Sequence, residues 1–256
     1  MKMIPNEKKF AMEILETKQL SNKPSTEISV LIKYYYHLGL TPDEILEKMM
    51  EFMEEVTGNS KAWKSKLKRD IKSKKDAKLN MVESITITKL EMEVIEKLKN
   101  DTLERIAFGL LAMLKIENVA KERQGEWIVL KNAGDLFKDI GVNRNSVERD
   151  LLIGKLEELG YVFSTNKAGK CSMKINYIDF EGEPAMTITS FDDYIMDYYK
   201  YRGAKIIECK KCNKRLKVKG RARTQYCSTC KKEVERERAK LSMRERRANQ
   251  CTQNEN

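Results

Sequence analysis

Four cysteines fall into two pairs of equal spacing, Cys209 with Cys212 and Cys227 with Cys230, in the stretch CKKCNKRLKVKGRARTQYCSTC. A gap of two residues lets both thiolates of a pair turn toward one cation. Two such pairs complete a tetrahedral four-sulfur shell with Zn–S distances of about 2.3 Å. Two other chemistries compete. A redox dithiol needs one CxxC after a strand in a βαβ unit, and this polar segment cannot supply that core. Structural disulfides need an oxidising compartment, which nothing in the sequence supports. Structural Zn2+ is therefore the expected cofactor. Four thiolates leave no open coordination position, so the ion is not expected to activate water. Cys171 and Cys251 stand apart from the cluster and read as bystanders.

The fourteen residues between the pairs suit a hairpin: KIIEC before the first pair, and RLKV and ARTQYC inside, have strand composition around Gly220. After Cys230 the run KKEVERERAKLSMRERRA has high helix propensity. A knuckle, a hairpin and a second pair at the mouth of a helix resemble a treble-clef or zinc-ribbon finger. The segment has almost no large apolar side chains, so the metal must supply most of its stability.

Inside the finger sit Lys210, Lys211, Lys214, Arg215, Lys217, Lys219, Arg221 and Arg223, with no acid among them. Such a surface gains most by displacing counterions from a phosphate backbone. Lys214, Arg215, Lys217, Lys219, Arg221 and Arg223 are accordingly candidate nucleic-acid contacts, with Tyr226 free to stack on a base or to pack on the knuckle. The bland reading is a solvated surface. On the following helix, Glu233 with Arg236, Glu235 with Arg238 and Glu237 with Lys240 have the spacing of ion pairs, which would neutralise much of the charge. A second basic run, KAWKSKLKRDIKSKKDAK at 61–78, reads equally as a solvated helical face or a further phosphate contact.

These side chains need elements to carry them. Between 101 and 180 the order is a long apolar helix, the strand EWIVL, the short helix NAGDLFKDIG, and a helix capped by Asn143 in VNRNSVERDLLIGKLEELG. The last of these is expected to bury Val147, Leu151, Leu152, Leu156 and Leu159 on one face. YVFST and KCSMKINYI then follow as a hairpin. This order resembles the winged-helix superfamily. The resemblance implies that Arg144, Asn145, Ser146 and Arg149 face a major groove, with Lys167, Lys170 and Lys174 on the wing. The block is neutral overall, and many winged helices mediate protein contacts instead.

The N-terminal hundred residues read as helices. In TPDEILEKMMEFMEEVTG, Thr41 and Glu44 form a capping box, Pro42 takes the first turn, Gly58 stops the helix, and Ile45, Met49, Met53 and Val56 share a face. Thr88 and Glu91 repeat the capping box. The stretch 181–199 carries five carboxylates and no base, and SFDDYIMDYYKYRG reads as a short aromatic helix. One expectation is that Asp192, Asp193 and Asp197 fold back on the finger and compete with phosphate.

The chain is thus expected to be mainly α. A helical domain spans 1–100 and a winged helix-turn-helix 101–180. An acidic aromatic connector covers 181–203, and a four-cysteine zinc finger with a basic helix covers 204–249. A formal net charge of +11 over 256 residues points to polyanionic partners. The longest apolar run, IAFGLLAMLKI, is too short to span a bilayer and is interrupted by Lys115, so no membrane role is expected. Reduced thiols and the lack of a signal-like N-terminus place the chain in the cytoplasm. The single histidine, His37, lies in a helix, and no phosphate loop, nucleophile elbow or HExxH occurs, so no enzyme is expected. The layout loosely resembles DNA-binding accessory proteins of phages and mobile elements. The expected partner is duplex DNA. The alternatives are RNA, a host protein that the chain inhibits, and self-association as a homodimer.

Overall fold

A computed structural model describes residues 4–22, 24–130, 133–167, 170–218 and 224–253. Its first part packs helices α1 (Glu7–Thr17), α2 (Ser25–His37), α3 (Pro42–Thr57) and α4 (Lys64–Ser73), with a short 3-10 turn at Ser60–Trp63. Each helix offers one apolar stripe. Ala11 and Ile14, Ile28 and Leu31, Ile45, Met49 and Met53, and Leu67 and Ile71 meet in one core. Complete burial of each large member is worth about 1.5–3 kcal/mol. α3 starts at the expected capping box, where the Glu44 carboxylate accepts from the N–H and hydroxyl of Thr41, both at 2.7 Å. Those bonds hold its pKa below the usual carboxylate range. The helix ends at Gly58, whose φ of 66° lies in the left-handed region that lacks a side-chain penalty only for glycine.

The middle part contains β1 (Ile85–Thr88), α5 (Lys89–Glu96), α6 (Asp101–Ala120), β2 (Trp127–Leu130), α7 (Ala133–Asp139), α8 (Ser146–Glu158), β3 (Val162–Lys167), β4 (Lys170–Ile175), β5 (Pro184–Ile188) and α9 (Ile195–Tyr201). α6 is apolar on nearly every side, with Leu103, Ile106, Ala107, Phe108, Leu110, Leu111 and Leu114 all buried, because its neighbours surround it. Gly109 permits the close approach of α7: an added Cβ would lie 2.6 Å from Ile140 Cγ2 and 2.8 Å from Leu136 Cδ1. The strands make two antiparallel sheets, one ordered β2-β4-β3 and one pairing β1 with β5.

A buried ion pair ties this part together. Lys115 Nζ lies 2.8 Å from Glu91 Oε1 and donates to the carbonyls of Thr86 at 2.8 Å and Asp179 at 3.0 Å. Glu91 in turn accepts from the backbone N–H groups of Thr88 at 2.7 Å and Asp179 at 2.8 Å. The ammonium is thereby satisfied three times over, as burial of a charge demands.

Three expectations differ from this arrangement. The apolar core divides near residue 80, not at 100, since Val82, Ile85, Ile87, Met92 and Ile95 join the middle core. The acidic connector is no simple tether: β5 pairs with β1, and Tyr194, Ile195 and Tyr198 are buried in the same core. Its five carboxylates obscured this, while Ile195 and Tyr198 of α9 and Tyr194 just before it turn into the core. Finally, α8 is capped by Asn145 and not Asn143. It buries Ile153 and Leu156, while Val147 and Leu151 stand 67% and 69% exposed. Apolar residues surround α8, so no single stripe in its sequence marks the inward side.

The C-terminal part comprises β6 (Ile206–Glu208), antiparallel to β7 (Arg215–Lys217), and the 26-residue helix α10 (Ser228–Gln253). Among the described residues, no helix is long and apolar enough to cross a membrane.

Candidate metal centre

After β6 the chain turns sharply. The Cys209 N–H donates to Lys214 O at 2.9 Å, the Asn213 N–H donates to Cys209 O at 2.9 Å, and Asn213 takes a φ of 56°. Asparagine tolerates that left-handed conformation better than most residues. The turn places Cys212 back beside Cys209. The second pair sits where α10 begins, with Cys227 just before the helix and Cys230 in its first turn. A backbone bond from the Lys210 N–H to Gln225 O, 3.0 Å long, joins the two knuckles.

All four sulfurs lie within 4.8 Å of one another. A tetrahedron with arms of about 2.3 Å has edges of about 3.8 Å. The Cys212 and Cys227 sulfurs already stand 3.8 Å apart. Backbone donors point inward as well: the Cys227 N–H reaches Cys209 Sγ at 3.3 Å and the Cys230 N–H reaches Cys227 Sγ at 3.4 Å. The Cys227 N–H bond is the main reason the Cys209 thiol is drawn down to about 6. The Cys230 N–H lowers Cys227 in the same way, whereas Cys230 itself is pushed up, first by its bond with Cys227. Sulfurs this close resist carrying four negative charges together, and a bound cation removes the conflict. These four residues can therefore hold a metal ion. Among the described residues the packing around them is otherwise slight, with Leu216 and Tyr226 against the buried cysteines.

The expected nucleic-acid contacts meet different fates. Arg215 is occupied: its Nε and Nη2 donate to Asp193 Oδ1 at 2.9 and 2.6 Å, and its Nη1 and Nη2 donate to Asp197 at 2.7 and 2.9 Å. All three side chains are 15–20% exposed, so this clamp docks the finger on α9. Arg215 must accordingly be removed from the phosphate contacts, while Asp193 and Asp197 do reach the finger as expected and Asp192 is exposed. Lys217 rests 3.8 Å from the centre of the Tyr199 ring, and Lys210 and Lys214 are exposed. Lys219, Arg221 and Arg223 lie outside the described residues.

In the middle part, Arg144 and Ser146 are exposed. Asn145, however, spends its side-chain oxygen on the Glu148 N–H, at 2.9 Å, as the helix cap. Arg149 is only partly exposed and lies 5.6 Å from the Phe137 ring centre, turned toward α7. Neither is presented as a base-reading side chain. Lys174 pairs with Glu126 at 3.0 Å and stands in register between Trp127 and Phe163, whose exposed rings meet edge to face at 6.2 Å. The Lys167 and Lys170 side chains lie outside the described set.

The sequence reading also missed contacts. Lys211 bonds Glu233 at 3.2 Å and Glu237 at 3.1 Å, tying the first knuckle to α10. A lysine with two carboxylates about twenty residues downstream carries no local signal.

The clamp makes a testable statement about docking. Burial works against the Asp193 carboxylate, but the bonds from Arg215 and Ser190 outweigh it and hold its pKa below the ordinary range. The docking it supports is therefore present at neutral pH and fades only as pH falls through that lowered value, below about 3.9. Replacing Asp193 and Asp197 together by Asn is expected to weaken docking by about 2 kcal/mol. Amide exchange should then accelerate at Arg215–Lys217 while the cores stay protected. Unchanged exchange in β7 would show that the clamp does not hold the finger.

Comparison with protein-family models, with curated proteins and with solved structures gives no match for this chain. Function must be argued from the geometry alone.

Proposed function

We propose that this chain is a zinc-containing DNA-binding protein, not an enzyme, of the accessory kind that phages and mobile elements encode. In this reading Zn2+ shapes the C-terminal finger, and a central winged-helix module carries it. The observation that bears the proposal is the four-sulfur cluster at the root of a base-rich helix whose side chains from Glu235 to Arg244 are all exposed. Zn2+ suits four thiolates, and Cys209, Cys212, Cys227 and Cys230 would hold it as a structural ion with no vacant position. The helix, strand, helix, helix, hairpin order and the β2-β4-β3 sheet support the winged-helix assignment. Reduced thiols fit a cytoplasmic setting.

A second reading has its own support. The outward side of α8 presents Val147 and Leu151, with few available bases, and exposed apolar surface of this kind favours a protein partner. The central module then docks a protein, a host enzyme or a second copy, while the C-terminal module binds DNA.

The test is binding of the zinc-loaded full chain to duplex DNA, single strands and RNA over a salt series. Duplex binding with a steep salt slope, lost at least tenfold in the Cys209→Ser, Cys227→Ser variant, is expected. Failure to bind any nucleic acid at moderate salt would leave only the protein-partner reading. A preference for RNA would transfer the function to that ligand.

A further inference from the structure

We propose that the outward face of α10 formed by Lys232, Arg236 and Lys240 seats the chain in the major groove of B-form DNA. This rests on the DNA-binding reading above and supplies the contact surface it lacks.

Sequence spacing suggests that α10 neutralises its own charge, with Glu233 serving Arg236 and Glu237 serving Lys240. The structure assigns those carboxylates elsewhere: both bond Lys211 of the finger, at 3.2 and 3.1 Å. Glu235 faces Lys231 at 3.9 Å. Among the described residues, Lys232, Arg236 and Lys240 take part in no ion pair. The metal-binding knuckle therefore does more than anchor the helix, because Lys211 withdraws two acids toward the finger and leaves three bases facing outward.

At about 100° per residue, Lys232, Arg236 and Lys240 fall within an arc of about 80°, which Thr229 and Met243 share, with Ala239 just outside it. No carboxylate lies inside that arc. The three bases repeat every four residues, a rise of about 6 Å, so they can follow a single strand of phosphates. Arg244, also exposed, continues the four-residue spacing. The groove of about 530 Å³ on another side of α10 is a weaker anion site, since Glu235 lines it beside Lys231 and Arg238.

Shape selects the ligand. A helix of about 10–12 Å diameter matches the B-DNA major groove, about 12 Å wide. The deep, narrow major groove of A-form RNA excludes it. Lysine and arginine at this pitch contact phosphates first, so this helix should contribute affinity with little sequence preference.

The experiment compares two charge-matched triple variants of the zinc-loaded full chain. One is Lys232→Gln, Arg236→Gln, Lys240→Gln. The other removes three exposed lysines outside both basic runs: Lys8→Gln, Lys48→Gln, Lys97→Gln. Glutamine keeps helix propensity, which circular dichroism verifies. Losing three phosphate contacts should lower the log–log salt slope by about 2.7 and weaken duplex binding about 100-fold at 0.15 M salt. The control variant should change little, and Lys232→Arg with Lys240→Arg should bind as the parent does. If the α10 variant keeps its slope while the parent binds duplex DNA, this inference is overturned and the DNA-binding reading stands. Equal losses in both variants overturn it too, since net charge alone then explains them. Preference for duplex RNA, or for an acidic protein in competition, also overturns it. A parent chain that binds no nucleic acid removes the functional reading and this inference together.

Discussion

Stripping the metal from the C-terminal module is expected to unfold residues 205–238 and leave both helical cores intact. Among its described residues this segment has nothing else of comparable strength: two three-residue strands, with Leu216 and Tyr226 packed on the cysteines. Structural zinc sites supply about 10–16 kcal/mol at neutral pH, whereas burying two partly exposed side chains gives a few kcal/mol at most. The Arg215 clamp can dock a formed finger, but it cannot form one, because β7 has no partner strand once the knuckle opens. Hydrogen exchange with and without a strong chelator decides the matter. Protection should vanish from β6, β7 and the start of α10 alone. Elemental analysis should find one zinc per chain in reduced protein. Protection that survives chelation, or reduced protein without metal, would refute the account. Acid should mimic the chelator, since thiolates must be protonated before they release the ion.

The second large effect concerns Lys115. Its replacement by methionine is expected to cost about 3–5 kcal/mol, because Glu91 is left charged, fully buried and without its cation. Domains are typically stable by only about 5–15 kcal/mol, so the middle part should melt far earlier in urea. The double variant Lys115→Met, Glu91→Gln should recover part of the loss, since the charge disappears with its partner. The N-terminal helices, which have a separate core, should keep their own transition. A loss under about 1 kcal/mol, the scale of an ordinary exposed ion pair, would mean that the ammonium is dispensable.

Much of the local structure was legible from sequence, because short-range chemistry fixes it. The capping boxes at Thr41 and Thr88 depend on residues three positions apart, and both form. Within each cysteine pair the reach is as short, and the repeated spacing marked the two pairs as partners across fourteen residues, where the four sulfurs do meet. What escaped depends on partners distant in sequence. Lys115 read as an interruption of an apolar run, yet it is a buried cation whose anion lies twenty-four residues earlier. α9 read as an aromatic helix within a connector, but nothing local told that Tyr194 and Tyr198 are buried in the middle core. Asn145 read as a base contact, but a helix N-terminus claimed its side chain first. Arg215 looked free because no acid occurs between the cysteines, and its acids come from Asp193, just before α9, and Asp197 within it. Composition records which charges exist and not which ones face each other.

The pairing of Ile85 with Ile188 has a consequence for how the molecule is made. That contact closes a loop of about a hundred residues, so β1 emerges from the ribosome long before its mate and must wait for it. The four N-terminal helices meet mostly their sequence neighbours and can assemble during that delay. Synthesis thus imposes an order: the helical unit first, then the β1–β5 closure, which fixes α9, and the four-cysteine segment after both. The base-rich helix α10 is made only after the body that docks its cysteine cluster has closed.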